Sequence, residues 1–425
     1  MAGQTLSEKL LSRKAGRTVR AGEIAICTVD FALGTDASVP MALDYFDAMG
    51  GTAPLRPEQL IFAFDHYAPA PSAKSALLQA RIRRFASAHD VKVFDVGAGI
   101  GHQLMVEHGY ARPGRLLVGA DSHSVMYGAT GCFATGIGSS DLAGVMMSGK
   151  VWLKVPESIR VELTGAPGAG VGGKDIALAL ARRLGADGAA YQTLEFHGDG
   201  IAALDFDDRL VIANMVIEMG AKNALFPVDD IARAYLAQRP WQGDPDELED
   251  LFADDDADYA SRLMLDLSTV EPNVARPHQV DNVVTVSELG HTPIHMAYLG
   301  TCTGGRVKDF REALAVLREH GGPAPGVQLV VTPASREVME DLVRGGELAD
   351  FLAFGAIVVT PGCGSCCGTG GAIPGDGINV VSTANRNFKG RMGNATANIY
   401  LASPQVCAAS AVAGYLVAPS QLGHR

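Results

Sequence analysis

Cys363 and Cys366 form a Cys-x-x-Cys in TPGCGSCCGTGG, and Cys302 stands in YLGTCTGGR; both segments follow an apolar stretch. A lone Cys-x-x-Cys has three chemical readings: a zinc site, a redox dithiol, or one edge of an iron-sulfur cluster. Structural zinc wants four protein ligands, most often as two close pairs, and the sequence has no second Cys-x-x-Cys to supply them. A redox dithiol opens a helix, whereas Gly364, Gly368, Gly370 and Gly371 favour a loop in which backbone can approach the sulfurs. Ferredoxin-type ligation needs a fourth well-placed thiol, and Cys27, Cys132 and Cys407 lie in apolar segments where cysteine behaves as a small hydrophobe. The Cys-x-x-Cys and Cys302 then offer three thiols for a [4Fe-4S] cubane with one iron not ligated by protein, an arrangement for Lewis-acid chemistry rather than electron transfer.

A second set of residues gathers at strand ends. Asp65-His66 follows LIFAF, His102 follows VKVFDVGAGIG, and Asp121-Ser122-His123 follows RLLVGA. Three strand ends thus send three histidines and two aspartates toward one edge, where open α/β sheets bind their ligands. One histidine so placed is commonly a satisfied structural group, but three in the same topological position are harder to dismiss as such. The glycine run Gly97 to Gly101 fails as a dinucleotide fingerprint, because the position of its third glycine is His102.

The elements that must carry these residues follow a βα rhythm. Short apolar runs alternate with helical segments such as Ser72 to His89 up to about Pro156. The next block, to about Pro227, holds a helix from Asp207 or Asp208 to Gly220, on which Asn214 and Glu218 are four apart and share a face. An acidic stretch, Gln242 to Tyr259, reads as a solvated surface excursion. A third βα block runs from Asn282 to Arg425, and its longest apolar run, Phe351 to Val359, is of strand length. The expected division is 1–155, 156–278 with the acidic excursion, and 279–425 with the cysteines.

Composition bounds the partners. The chain has 425 residues, 47% hydrophobic and 50 of them glycine, which fits several compact α/β domains rather than disorder or coiled coil. Lys plus Arg number 35 against 47 Asp plus Glu, a net charge of -12, which speaks against nucleic acid or an anionic membrane as the main partner. Any anion must therefore meet a local basic pocket. No apolar run approaches a membrane span. Thr5 and Glu8 make a capping box near a terminus without a signal-peptide core, so a cytoplasmic location is the default expectation.

Taken together, these segments closely resemble the aconitase superfamily, in particular the free-standing large subunits of its isopropylmalate dehydratase and homoaconitase group. The resemblance runs nearly end to end, through FDH (64–66), GIGHQ (99–103), GADSHS (119–124), ANMVIEMGAKNALFPVD (213–229), LGTCTGGR (299–306), PGCGSCCG (361–368) and ANRNFKGRMG (384–393). It implies three α/β/α domains around a central iron-sulfur site, without the swivelling fourth domain of bridged aconitases. It also implies that Cys302, Cys363 and Cys366, rather than Cys367, hold three irons, and that Asp65-His66 gives a proton to a departing hydroxyl. By the same resemblance His102 pairs with Glu218, Asp121, Ser122 and His123 contact substrate, and Asn214, Asn385, Arg386 and Arg391 bind it. The two arginines supply the basic pocket, their forked guanidinium groups suiting carboxylates.

The implied reaction removes and readds water on a hydroxy di- or tricarboxylic acid. Isomerisation of isopropylmalate is the first expectation, with homoaconitase or a dimethylmalate, citramalate or maleate hydratase as alternatives and an RNA-binding apo-protein as the non-enzymatic one. The implied partner is a small subunit carrying the swivelling domain, with the proton-abstracting serine and two more arginines, so the chain alone is expected to be nearly inactive. Two departures from the family pattern, Gly304 where an asparagine is usual and a missing histidine in the segment Asp30 to Asp36, are expected to remove polar side chains from around the substrate pocket.

Overall fold

The computed structural model describes residues 3–240 and 251–423. Among the described residues, three sheets of five, four and seven strands follow one another along the chain, with a two-stranded ribbon beside the first. In the first sheet the order is Lys92–Phe94, Leu60–Ala63, Phe31–Thr35, Leu116–Gly119, Phe133–Gly136, all parallel. LIFA and LLVG are unbroken apolar runs because both faces of these strands are buried. The ribbon differs. Ile24–Thr28 pairs antiparallel with Lys150–Lys154, and its residues alternate, with Ile24, Ile26 and Trp152 outward and Ala25, Cys27, Val151 and Leu153 inward.

From Phe31–Thr35 the chain winds to one edge of the first sheet and then crosses to the other. A switch point therefore lies between Phe31–Thr35 and Leu116–Gly119, and a crevice opens beyond the carboxyl ends of the strands. The third sheet repeats the device. Its order is Val283–Thr285, Asn273–Ala275, Asn398–Leu401, Asn379–Ser382, Met296–Gly300, Gln328–Thr332, Ile357–Val358, the last five parallel. Its switch point lies between Met296–Gly300 and Asn379–Ser382, and the loops leaving these two strands carry Cys302 and Asn385. The second sheet, Asn223–Leu225, Thr193–His197, Ser158–Thr164, Ser261–Asp266, is parallel throughout.

Local hydrogen bonds start the helices. Thr5 and Glu8 form the expected capping box of Leu6–Ala15, Ser72 caps Ala73–His89, and Asp205 caps Phe206–Met215. Three expectations change. The helix anticipated through Gly220 ends at Met215 and tightens into a 3-10 turn over Val216–Met219. The apolar run 351–359 is not one strand: Glu347–Ala353 is helical, and only Ile357–Val358 pairs. Of the acidic stretch, 242–250 lie outside the described residues, but the remainder is anchored rather than free. Leu251 is buried, Asp254 accepts from Gln4 N at 2.7 Å and pairs with Lys9 at 2.5 Å, and Tyr259 donates to Glu195 at 3.3 Å.

The largest buried cluster runs from Leu33 and Ile61 of the first sheet, through Leu194 and Met215, to Cys302 and Cys366. The blocks therefore share one core around the cysteine loops. The glycine run serves this contact: Ile100 N donates to Ala334 O at 2.8 Å, and a Cβ on Gly99, at φ 139, would come 2.6 Å from the same oxygen. No helix among the described residues is long and apolar enough to cross a membrane.

Candidate active site

The three strand ends of the first sheet converge as the sequence implied. Asp65 accepts from Gly101 N through Oδ2 at 2.8 Å and holds His66 Nδ1 through Oδ1 at 2.7 Å. Burial acts against a charged His66, but the Asp65 carboxylate outweighs it and, with smaller help from Cys367 and Asp121, holds the imidazole pKa well above its ordinary value. His66 Nε2 lies 3.5 Å from Asp121 Oδ2. The other Asp121 oxygen takes His102 Nε2 at 2.9 Å and accepts from His123 N at 2.9 Å. Burial would raise the Asp121 pKa, yet the two histidines pull it well below the usual carboxylate range.

The pairing across the site is not the expected one. His123, not His102, meets Glu218, Nε2 to Oε1 at 3.0 Å, while His102 is held between Asp121 and the Tyr127 hydroxyl, 2.9 Å from its Nδ1. Two local causes account for this. Glu218 stands on the 3-10 turn, not on the preceding α-helix, and Tyr127 already takes the inner nitrogen of His102. Arg386 Nε donates to the same Glu218 oxygen at 2.7 Å. Burial opposes ionisation of Glu218, but His123 and Arg386 together lower its pKa.

The thiols lie on the far side of this network. Asn214 and Asn385 both donate to Cys302 Sγ, at 3.2 and 3.3 Å, and the two amides bond to each other at 3.3 Å. Cys366 Sγ is 3.7 Å from Asn385 Oδ1 and receives Arg391 Nη2 at 3.6 Å. Cys363 N donates to Asp65 O at 2.9 Å, which brings its sulfur 4.0 Å from His66 Nδ1. Cys367 turns aside to Thr369 Oγ1 at 2.7 Å and to the carbonyl of His66. Gly368 permits the tight fold of this loop, since a Cβ there would lie 2.5 Å from Gly393 N. Burial pushes the Cys302 thiol up to about 12, so it ionises at neutral pH only when a cation displaces its proton.

Of the residues singled out in the sequence, Ser122 alone has no polar side-chain contact described with the others; it borders a neighbouring cavity of about 430 Å³ with Trp152, Tyr191 and Lys222. Four further residues at the site carry no distinct signal in the sequence. Asp36 accepts from His66 N at 3.0 Å, Tyr67 N at 3.1 Å and Gln79 at 2.9 Å, and so fixes the turn that bears His66. Tyr127 orients His102. Arg306 Nη2 donates to Cys302 O at 2.9 Å, and Lys174 is buried beneath the Cys302 loop. The two departures also find a physical setting. A Cβ on Gly304 would lie 2.4 Å from Thr383 Cβ, so that position faces the end of the neighbouring strand and has no room for asparagine. Thr35 is buried in the central strand, and the Asp36 carboxylate is taken up by two backbone N–H groups and Gln79.

The arrangement joins a charged imidazole, two carboxylate-histidine pairs, two arginines and three soft sulfur donors in one connected cluster. The sulfurs receive N–H groups from Asn214, Asn385 and Arg391, and buried Arg391 Nε has no hydrogen-bond partner among the described residues. Three thiols ringed by hydrogen-bond donors fit an iron-sulfur group.

Comparison with known proteins agrees with this chemistry. Residues 8–293 and 287–414 match the family model described as the aconitase family (aconitate hydratase). The 3-isopropylmalate dehydratase large subunit 1 of Thermotoga maritima is 45% identical, over 98% of this chain and 99% of that protein. The 3-isopropylmalate dehydratase large subunit of Elusimicrobium minutum is 43% identical over 99% of each chain. The homoaconitase large subunit of Thermus thermophilus is 44% identical, over 99% of this chain and 98% of that protein.

Proposed function

The chain belongs to the aconitase family, and from that premise we propose that it is the large subunit of a hydro-lyase that isomerises 2- and 3-isopropylmalate through the alkene. The observation that carries the reading is the chain of contacts from Asp65-His66, which Cys363 approaches, through Asp121, His123 and Glu218 to Arg386, the neighbour of Asn385, whose amide lies against Cys302 and Cys366. Those three thiols would hold a [4Fe-4S] cluster with one iron free of protein ligands, which when bound supplies Lewis acidity toward the substrate hydroxyl.

The protein's own groups do the rest. Asp65 occupies Nδ1 of His66, so Nε2–H is the proton His66 can deliver to a departing hydroxyl, and the raised pKa keeps that proton in place at neutral pH. Asp121 faces Nε2 and orients the ring. Glu218 holds His123 on one side and Arg386 on the other, fixing the guanidinium that takes a substrate carboxylate, while Arg391 is anchored next to Cys366. Abstraction of the carbon-bound proton, and two further carboxylate-binding arginines, fall to a separate small subunit, in keeping with the relatives' description as large subunits.

The test is anaerobic reconstitution with iron and sulfide, addition of the small subunit, and a screen of 2- and 3-isopropylmalate, homocitrate and other malate derivatives for alkene formation. Turnover of isopropylmalate only with the partner present is the expected result, and turnover by the chain alone would refute the split site. Homoaconitase is the second reading, favoured by the 44% identity to the Thermus thermophilus protein; preference for homocitrate would select it.

A further inference from the structure

Lys174 is the second residue of the helix Gly173–Leu184 and is 2% exposed. Its ammonium contacts Thr303 Oγ1 at 3.1 Å, Thr383 O at 2.9 Å and Ala384 O at 2.8 Å, with Met215 Sδ at 3.9 Å. These oxygens come from the two loops at the switch point of the third sheet: Thr303 follows Cys302, and Ala384 precedes Asn385 and Arg386. The same oxygens are bound to one another. Thr303 Oγ1 also donates to Thr383 O at 2.8 Å, and Thr301 Oγ1 reaches it at 3.3 Å. Thr301 has φ 74, a strained conformation for a β-branched residue, and it turns the chain directly before Cys302.

As ballast this would be a poor choice. A cation in the first turn of a helix opposes the helix dipole, and a buried one loses its hydration. Burial accordingly pulls the ammonium pKa down to about 8. A neutral apolar side chain would fill the same volume without these costs, unless the charge serves the sulfur site.

We infer that Lys174 is a positioning residue, whose buried ammonium clamps the Cys302 loop to the Asn385-Arg386 loop and offsets the negative charge that ligating thiolates bring. The inference rests on the reading of Cys302 as a cluster ligand, and the wild-type chain separates the two: if it takes up no iron and sulfide, that reading fails first. The test compares the full-length chain with Lys174→Met, which keeps the length and loses the charge, and Lys174→Gln, which keeps a donor. Each is reconstituted anaerobically, and the release of iron to a chelator is timed. Apo-chain unfolding is followed by circular dichroism, and KM and kcat are measured with the small subunit.

Groups that support metal ligands from behind typically govern about 10- to 100-fold in affinity or activity. Iron release is therefore expected to be faster by about that factor in Lys174→Met and by less in Lys174→Gln. KM should rise as Arg386 loses its register, while the apo chains unfold in one cooperative transition like the wild type. If Lys174→Met does not fold, Lys174→Gln decides on the same readouts. Wild-type release rates in the variant that folds would overturn the inference. Failure of both to fold would also overturn it, because Lys174 would then be a requirement of folding alone.

Discussion

Replacing Asp65 with asparagine separates charge from shape at the group placed to donate the proton. The substituted amide can still accept from Gly101 N through its carbonyl oxygen, as Asp65 does at 2.8 Å, but its nitrogen then presents N–H to His66 Nδ1. The imidazole is left neutral, with its proton on Nε2. An opposite charge this close is worth about 1–3 pKa units, or about 1.4–4 kcal/mol of preference for the imidazolium. In the wild type, activity that needs charged His66 is lost as pH rises through its raised pKa, so in Asp65→Asn the alkaline limb of kcat/KM should move down by about 1–3 pH units. kcat should fall by about 100- to 10,000-fold, the usual range for a lost general acid. Stability follows the same sign. The pair's contribution is fully present below about pH 6.5, the unfolded histidine value, and is lost as pH rises through the folded one; in the variant that dependence should vanish. The assay is a pH–rate profile of the reconstituted complex, with iron and sulfide counted to show that the cluster is intact. A kcat within about threefold of wild type and an unmoved alkaline limb would refute the assignment of His66 as the acid.

Glu218→Gln removes the charge that holds His123 and Arg386, and a charge-assisted bond of this kind is worth about 1.5–3 kcal/mol; steady-state kinetics should show KM raised about tenfold or more. Cys302→Ala should leave the reconstituted chain without a stable four-iron cluster by iron and sulfide analysis, whereas Cys367→Ala, whose sulfur turns toward Thr369, should retain it. Gly304→Ala would set a methyl 2.4 Å from Thr383 Cβ, and chemical denaturation should register a loss of about 1–3 kcal/mol, the usual cost of overpacking.

Much of this architecture is written locally. The strands LIFA and LLVG are readable because burial on both faces demands unbroken apolar runs, and the helix starts at Thr5 and Ser72 are readable because a cap bonds within three residues of itself. The convergence of Asp65, His66, His102 and Asp121 was legible for a related reason, since parallel strands must all deliver their carboxyl ends to one edge. Local pattern fails where a choice depends on a distant neighbour. The apolar run after Phe351 divides between helix and strand, because only Ile357–Val358 finds Val330–Val331 to pair with. The stretch after Leu251 is pinned by Gln4 and Lys9, which no reading of its charge could supply.

Residue types and their spacing established which groups are available: three candidate sulfur ligands, three histidines at strand ends and two arginines near one another. How those groups pair was set in three dimensions. His123 rather than His102 meets Glu218 because a 3-10 turn repositions the carboxylate and Tyr127 occupies the other ring. Lys174, one lysine at the start of an apolar helix, becomes the charge beneath the cysteine loops because two switch-point strands end against that helix. Chain-local forces fix the elements, but the partner of a buried charge is set by which elements pack together, since desolvation makes a partner obligatory without saying where in the sequence it will be found.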